Sequence, residues 1–337
     1  MGVRTIYLVS PLADIDRMEV FEEGQLEQLY REKCGPPNES SLAFVTRMFS
    51  KLLRYAHEFD RFQYTIDDLQ YMDGSPDGLP TVHCFNVITS GVRLTGVRWE
   101  FPKTSSSKFL IIYVHTNTRS LCDAMEVLPL AKQLQADLVA FDLPGSGKSE
   151  GILNAQVSQQ LLDVIKFVTS ETKIPNVVLW GRGTGTFPVM DICSTVIPKL
   201  NTDLPFVIRF IVLDSPFTSM KQVVQDLIAK YESLGYYFPH SLFGMVSRML
   251  RVSIQRRAGV DLYDIKPIDL APSISIPSFI LAATCDDYFH SSHGVLIRDK
   301  WGAPSVYTAI PGSQFSKRSP SSIMLTFNSI SHHCGHL

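Results

Sequence analysis

From Thr81 onward the apolar and polar positions fall into short β-type runs separated by helical stretches. "TVHCFNVITSGVRLTGVRWEFP" alternates in period two and predicts a hairpin turning near Ser90-Gly91. "KFLIIYVHT" is a continuous apolar run, the pattern of a strand buried on both faces. After it come a helix in "DAMEVLPLAKQLQ", a strand in "ADLVAFDLPG", a helix in "NAQVSQQLLDVIKFVTSE" and a strand in "NVVLWG". "FPVMDICSTVI" continues the series as a helix, and "FVIRFIVLDSP" and "IPSFILAAT" are further strands. Such alternation predicts an α/β domain whose mostly parallel sheet carries helices on both faces.

The first 70 or so residues read differently. "MEVFEEGQLEQLYREK" and "SSLAFVTRMFSKLLRYAHEFDRF" place apolar residues three and four apart, predicting two amphipathic helices divided by "CGPPNES". The turn-rich "DGSPDGLP" then marks a boundary, with a helical extension over 1–72 and the α/β domain over 80–337.

Composition narrows the function classes. A net charge of −2 supplies no basic field for nucleic acid, so no nucleic-acid partner is expected. The six cysteines are scattered without a C-x-x-C pair, which signals neither a zinc site nor a disulfide framework. Neither metal nor cofactor is therefore expected, and reduced thiols fit a cytoplasmic protein. Apolar runs such as "FLIIYV" fall far short of the roughly 20 residues that cross a bilayer, so no transmembrane segment is expected. The N-terminal stretch also lacks the basic and apolar regions of a signal peptide.

In open α/β sheets, ligands gather at the carboxyl ends of the strands. His115 in "YVHTNTRS" reads as either a loop hydrogen-bonding residue or part of a turn offering N–H groups to an oxyanion. "FDLPGSGKSEG" suggests a phosphate loop, but the glycine needed five positions before Gly147 is Asp142, so a tight turn is the better reading. "GRGTG" has the outer glycines of G-x-S-x-G, Gly181 and Gly185, around Gly183 in place of serine. "ILAATCDDYFHSSHG" ends a buried run in two carboxylates, which could orient a histidine or cap the next helix.

The ordered series "HTN", "FDLPGSGKSEG", "GRGTG", "LDSPFTS", "IPSFILAATCDD" and "PGSQFSKRSP" resembles the α/β-hydrolase superfamily. The similarity is to its serine aminopeptidase and acyl-protein thioesterase-like branch, and it covers roughly residues 82 to 325. The resemblance implies that Gly183 stands at the nucleophile position and Asp286 at the acid position, with Asp287 the lesser choice. It puts Gln314 where the family has its histidine, and makes the N–H groups of Thr184 and Asn117 the oxyanion donors. Glycine offers no attacking oxygen, and a glutamine amide takes no proton near neutral pH.

Substitutes are few. Thr184 could serve as nucleophile only with a base at hand, and His290 is the best-placed histidine, four residues after Asp286. His332, His333 and His336 crowd the last six residues, where a fraying end is expected. Residues 218–261 read as a lid or as core helices. The sequence thus implies a degenerate hydrolase that binds a small molecule or peptide in the strand-end cleft, or a protein partner. An active serine-hydrolase-type peptidase or acyl esterase working through non-standard residues is the alternative.

Overall fold

The computed structural model describes residues 6–8, 19–21, 64–70, 78–102, 109–117, 119–200, 203–233, 244, 247–248, 251–252, 254–256, 258–286, 288–313 and 315–334. Eight strands form one sheet: β1 (Thr81–Thr89), β2 (Val92–Glu100), β3 (Leu110–Val114), β4 (Asp137–Phe141), β5 (Asn176–Arg182), β6 (Val207–Asp214), β7 (Ser278–Ala283) and β8 (Ser305–Ile310). Their spatial order is β1-β2-β4-β3-β5-β6-β7-β8. Only β2 runs against its neighbours β1 and β4; every other pairing is parallel.

The β1–β2 hairpin turns where the sequence predicts. Ser90 and Gly91 both take positive φ, 50° and 74°, as a two-residue turn matched to strand twist requires. Strands β3, β4 and β7 are buried along their whole length, which is why they read as unbroken apolar runs. Alternation within them sends side chains to opposite faces. Leu110, Ile112 and Val114 join one core with Leu161, Leu162, Ile165 and Val168 of α2 (Val157–Thr172). Ile111 and Tyr113 join the other, with Leu128 and Ala131 of α1 (Leu128–Gln133). Each such aliphatic side chain, fully buried, contributes about 1.5–3 kcal/mol.

Two stretches predicted as helices differ from the pattern. The stretch predicted as a helix over "FPVMDICSTVI" is α only over α3 (Thr186–Asp191), then widens to a π turn at Ile192–Val196. Glu19–Phe21 pairs antiparallel with Ile6–Leu8, where apolar spacing predicts the start of a helix; the local β-formers Val20 and Phe21 prevail there. The other residues of the two predicted N-terminal helices lie outside those described. Tyr64 and Leu69 are buried against the body, and Trp99 donates its indole N–H to the Leu69 carbonyl at 2.8 Å.

Within the 218–261 segment, α4 (Met220–Ser233) is a 14-residue helix, and most residues from 234 to 257 lie outside those described. Beyond it come α5 (Ser292–Lys300) and α6 (Pro320–Cys334). The expected frayed end is instead wound into α6 through Cys334, because Ile330 and Cys334 are buried in the second core. The His333 ring lies 4.7 Å from that of Phe210. His336 lies outside the described residues. Among the described residues, no helix is long and apolar enough to cross a membrane.

Candidate active site

Strand β5 ends at Arg182, and the chain reverses into α3 through a single tight turn, Gly183–Gly185. Gly183 adopts φ 56°, a left-handed conformation that is costly for residues with a Cβ. The outer glycines are demanded by close approach. A Cβ at Gly181 would lie 2.6 Å from the Gly185 carbonyl oxygen; one at Gly185 would lie 2.3 Å from that of Val114. Thr186 Oγ1 donates to the Gly183 carbonyl at 2.6 Å and fastens the bend. The turn therefore has the sharp strand-to-helix geometry that projects a nucleophile in hydrolases, with only hydrogen at its apex.

The "HTN" turn after β3 packs against this bend. His115 is fully buried, and its Nε2 accepts the Leu143 N–H at 2.9 Å. Its proton is consequently on Nδ1, donated to the Thr116 carbonyl at 2.6 Å. His115 thus staples the β3 and β4 turns together, the loop-bonding one of its two readings. Asn117 donates its backbone N–H to Thr184 Oγ1 at 2.8 Å, and the Thr184 N–H donates to Thr116 Oγ1 at 3.4 Å. The Thr184 hydroxyl also lies 3.1 Å from Thr116 Oγ1 and from Asn117 Oδ1. Both amides that the resemblance implies as oxyanion donors are thus engaged by hydroxyls of the protein itself.

Asp286 follows β7 and is half-buried. Its Oδ1 accepts the N–H groups of Tyr288 and Phe289, both at 2.9 Å, so the carboxylate organises its own loop. Asp287 and Gln314 lie outside the described residues. His290, the favoured substitute base, is exposed and bonds Ser292 Oγ at 2.8 Å, not the strand-end turns. Ser215 is buried with φ 54°, its hydroxyl 3.5 Å from the Arg318 guanidinium.

Beneath the bend lies a charge cluster that the sequence reading missed. Arg318 grips Asp214 through both carboxylate oxygens, at 2.8 and 2.5 Å. Arg182 donates to Glu126 at 2.6 Å and lies 3.9 Å from Asp214. Burial pushes the Glu126 carboxyl above its usual range, against the pull of Arg182. The same arginines hold the loop around position 314: Arg318 donates to the Ser313 carbonyl at 2.8 Å and Arg182 to that of Ser316 at 2.7 Å. From the other side Arg119 lies over the Phe315 ring, 5.2 Å from its centroid. A signal existed in "IVLD" and "LWGR", where apolar strands end in charges that must be paired if buried.

The "GSGKS" turn holds a carboxylate of its own. Asp142 is fully buried and accepts from the N–H groups of Leu121 and Lys148, both at 2.8 Å, and from the Tyr64 hydroxyl at 2.7 Å. This internal carboxylate occupies the Lys148 amide, one of those a phosphate loop would turn toward a ligand. Among the described residues, no group of three or more His, Cys, Asp or Glu side chains could hold a metal ion.

No family model and no curated protein sequence matches the chain. Solved structures do. An esterase from Pyrococcus furiosus superimposes with a TM-score of 0.56 at 16% identity, over 76% of this chain and 94% of that one. Acetyl xylan esterase 1 from Thermoanaerobacterium sp. JW/SL YS485 gives 0.51 at 14% identity, over 84% and 92%. A cold-adapted esterase from an Arctic intertidal metagenomic library gives 0.50 at 15% identity, over 79% and 97%. At such identities the likeness establishes the fold, which is that of the α/β-hydrolases, and carries no chemistry with it.

Proposed function

We propose that this chain is a catalytically degenerate member of the serine aminopeptidase and acyl-protein thioesterase-like branch, retaining the hydrolase scaffold and acting by binding. In this reading Gly183 is the vacated nucleophile position, Gln314 the vacated base position and Asp286 the residual acid. The ligand is a small molecule or peptide at the strand-end turns, or else a protein partner. Free cysteines at every described position accord with a cytoplasmic setting.

One observation carries the reading: the apex of the bend has no side chain, and the amides beside it are spent on Thr184 and Thr116. A hydrolase needs an activated nucleophile and free N–H groups aimed at the developing oxyanion. Without nucleophile and base, at most about 10³–10⁴-fold catalysis over water would remain. The alternative, an active peptidase or acyl esterase using Thr184, requires a base on that hydroxyl. Its partners are the Thr116 hydroxyl, the Asn117 N–H and the Asn117 amide oxygen, and none is a base.

The expected outcome is that fluorophosphonate probes leave the protein unlabelled and p-nitrophenyl esters turn over at background. Gly183→Ser with Gln314→His should restore little, because Thr184 still occupies the Asn117 amide; adding Thr184→Ala should raise ester turnover further. Robust labelling of the unaltered chain would overturn the reading.

A further inference from the structure

Away from the bend, three side chains from three elements meet beside the stacked rings of Phe217 and Phe289, whose centroids are 5.1 Å apart. Thr218 lies in the loop between β6 and α4, Asp226 is the seventh residue of α4, and His293 is the second of α5. Thr218 Oγ1 lies 2.8 Å from His293 Nδ1, and His293 Nε2 lies 3.0 Å from Asp226 Oδ2. Hydroxyl, imidazole and carboxylate are connected as in a catalytic triad. Yet Thr218 is only 5% exposed, and its carbonyl accepts the Ile268 N–H at 3.1 Å, so the hydroxyl is sealed into the wall. No acyl group can reach it.

What the cluster can do is sense protons. The Thr218 backbone N–H also points at His293 Nδ1, at 3.3 Å, and an amide N–H can only donate. Nδ1 must therefore present its lone pair, and the single ring proton sits on Nε2, facing Asp226. A second proton would have to enter at Nδ1, against that amide and at the cost of the hydroxyl's bond. Among the described residues, the charged groups acting on the ring are Asp226 from α4, which favours protonation, and His290 from the preceding loop, which opposes it. Burial, the largest influence, holds His293 below its ordinary range.

We propose that His293 is a proton-sensitive latch, fastening α4 to the body of the fold when neutral and releasing it on acidification. The inference stands independently of whether the Gly183 turn is catalytic. A ring freed by opening takes up its proton near the ordinary value of about 6.5, whereas the latched ring resists it. The open form then binds more protons, so the latched state is fully favoured above about pH 6.5 and loses ground as pH falls. Across the window between the two affinities, the open fraction should rise by up to about tenfold per pH unit.

Hydrogen exchange followed by mass spectrometry between pH 7.5 and 5, corrected for intrinsic rates, tests this, together with an NMR titration of the His293 ring. Protection of Met220–Ser233 should fall with pH while that of Leu110–Val114 holds, and the ring should titrate below about 6.5. His293→Gln should abolish the pH dependence in α4. Should that variant fail to fold, Asp226→Asn decides, because it removes the charge that favours protonation of the latched ring, and so should lower the ring's titration and deepen the acid-induced loss of α4 protection. A ring titrating at or above the ordinary value, or α4 protection indifferent to pH, would overturn the latch.

Discussion

Two glycine turns, at the ends of the strands that flank β3, have reached the same state by different means. The turn after β4 closes around Asp142, a buried charge with three donors; the bend after β5 closes around Thr184, a half-buried neutral hydroxyl. A buried carboxylate cannot be withdrawn without stranding its donors, whereas water can replace a half-exposed hydroxyl. The first turn is thus a fixed structural joint, and the second is held by a contact that solvent can replace.

Substitutions should separate them. Asp142→Ala leaves the buried Leu121 N–H, the part-buried Lys148 N–H and the Tyr64 hydroxyl without their acceptor, and should cost about 3–5 kcal/mol in urea unfolding, the largest effect of the set. Gly147→Ala comes next, at about 2–4 kcal/mol, since its Cβ would lie 2.1 Å from Asp142 Oδ2 at φ 46°. At the other bend, Gly183→Ala meets the left-handed φ of 56° and should cost about 1–2 kcal/mol. The smallest change is expected for Thr184→Val, below about 1 kcal/mol in the same unfolding measurement. Equal losses for Asp142→Ala and Thr184→Val would erase the distinction.

Much of this was legible in the sequence. The apolar runs of β3, β4 and β7 are continuous because both their faces are covered, and Ser90-Gly91 marks its hairpin because Gly91 takes positive φ without a Cβ penalty. The bend at Gly183 was visible because glycine spacing alone encodes it. Strand β8 was not, since "SVYTAI" lies at the sheet edge and carries a half-exposed pattern without a clean period. Thr184 as occupant of the Asn117 amide was also invisible: it depends on one rotamer across 67 residues of sequence separation. The pairing of Arg318 with Asp214 spans 104 residues, and only the fold shows that two charges bracket one strand end. The tail histidines misled because polarity near a terminus suggests fraying, while Ile330 and Cys334 one turn apart supply the anchor.

The burial of Ile330 and Cys334 beside Phe210 has a consequence for biogenesis. The part of the second core around Phe210 and Val212 lacks Ile330 and Cys334 until residues 320–334 have been synthesised, long after the strand itself has left the ribosome. The nascent polypeptide must shield that oily surface while it waits, and chaperone dependence during translation should be set by the time α6 takes to arrive.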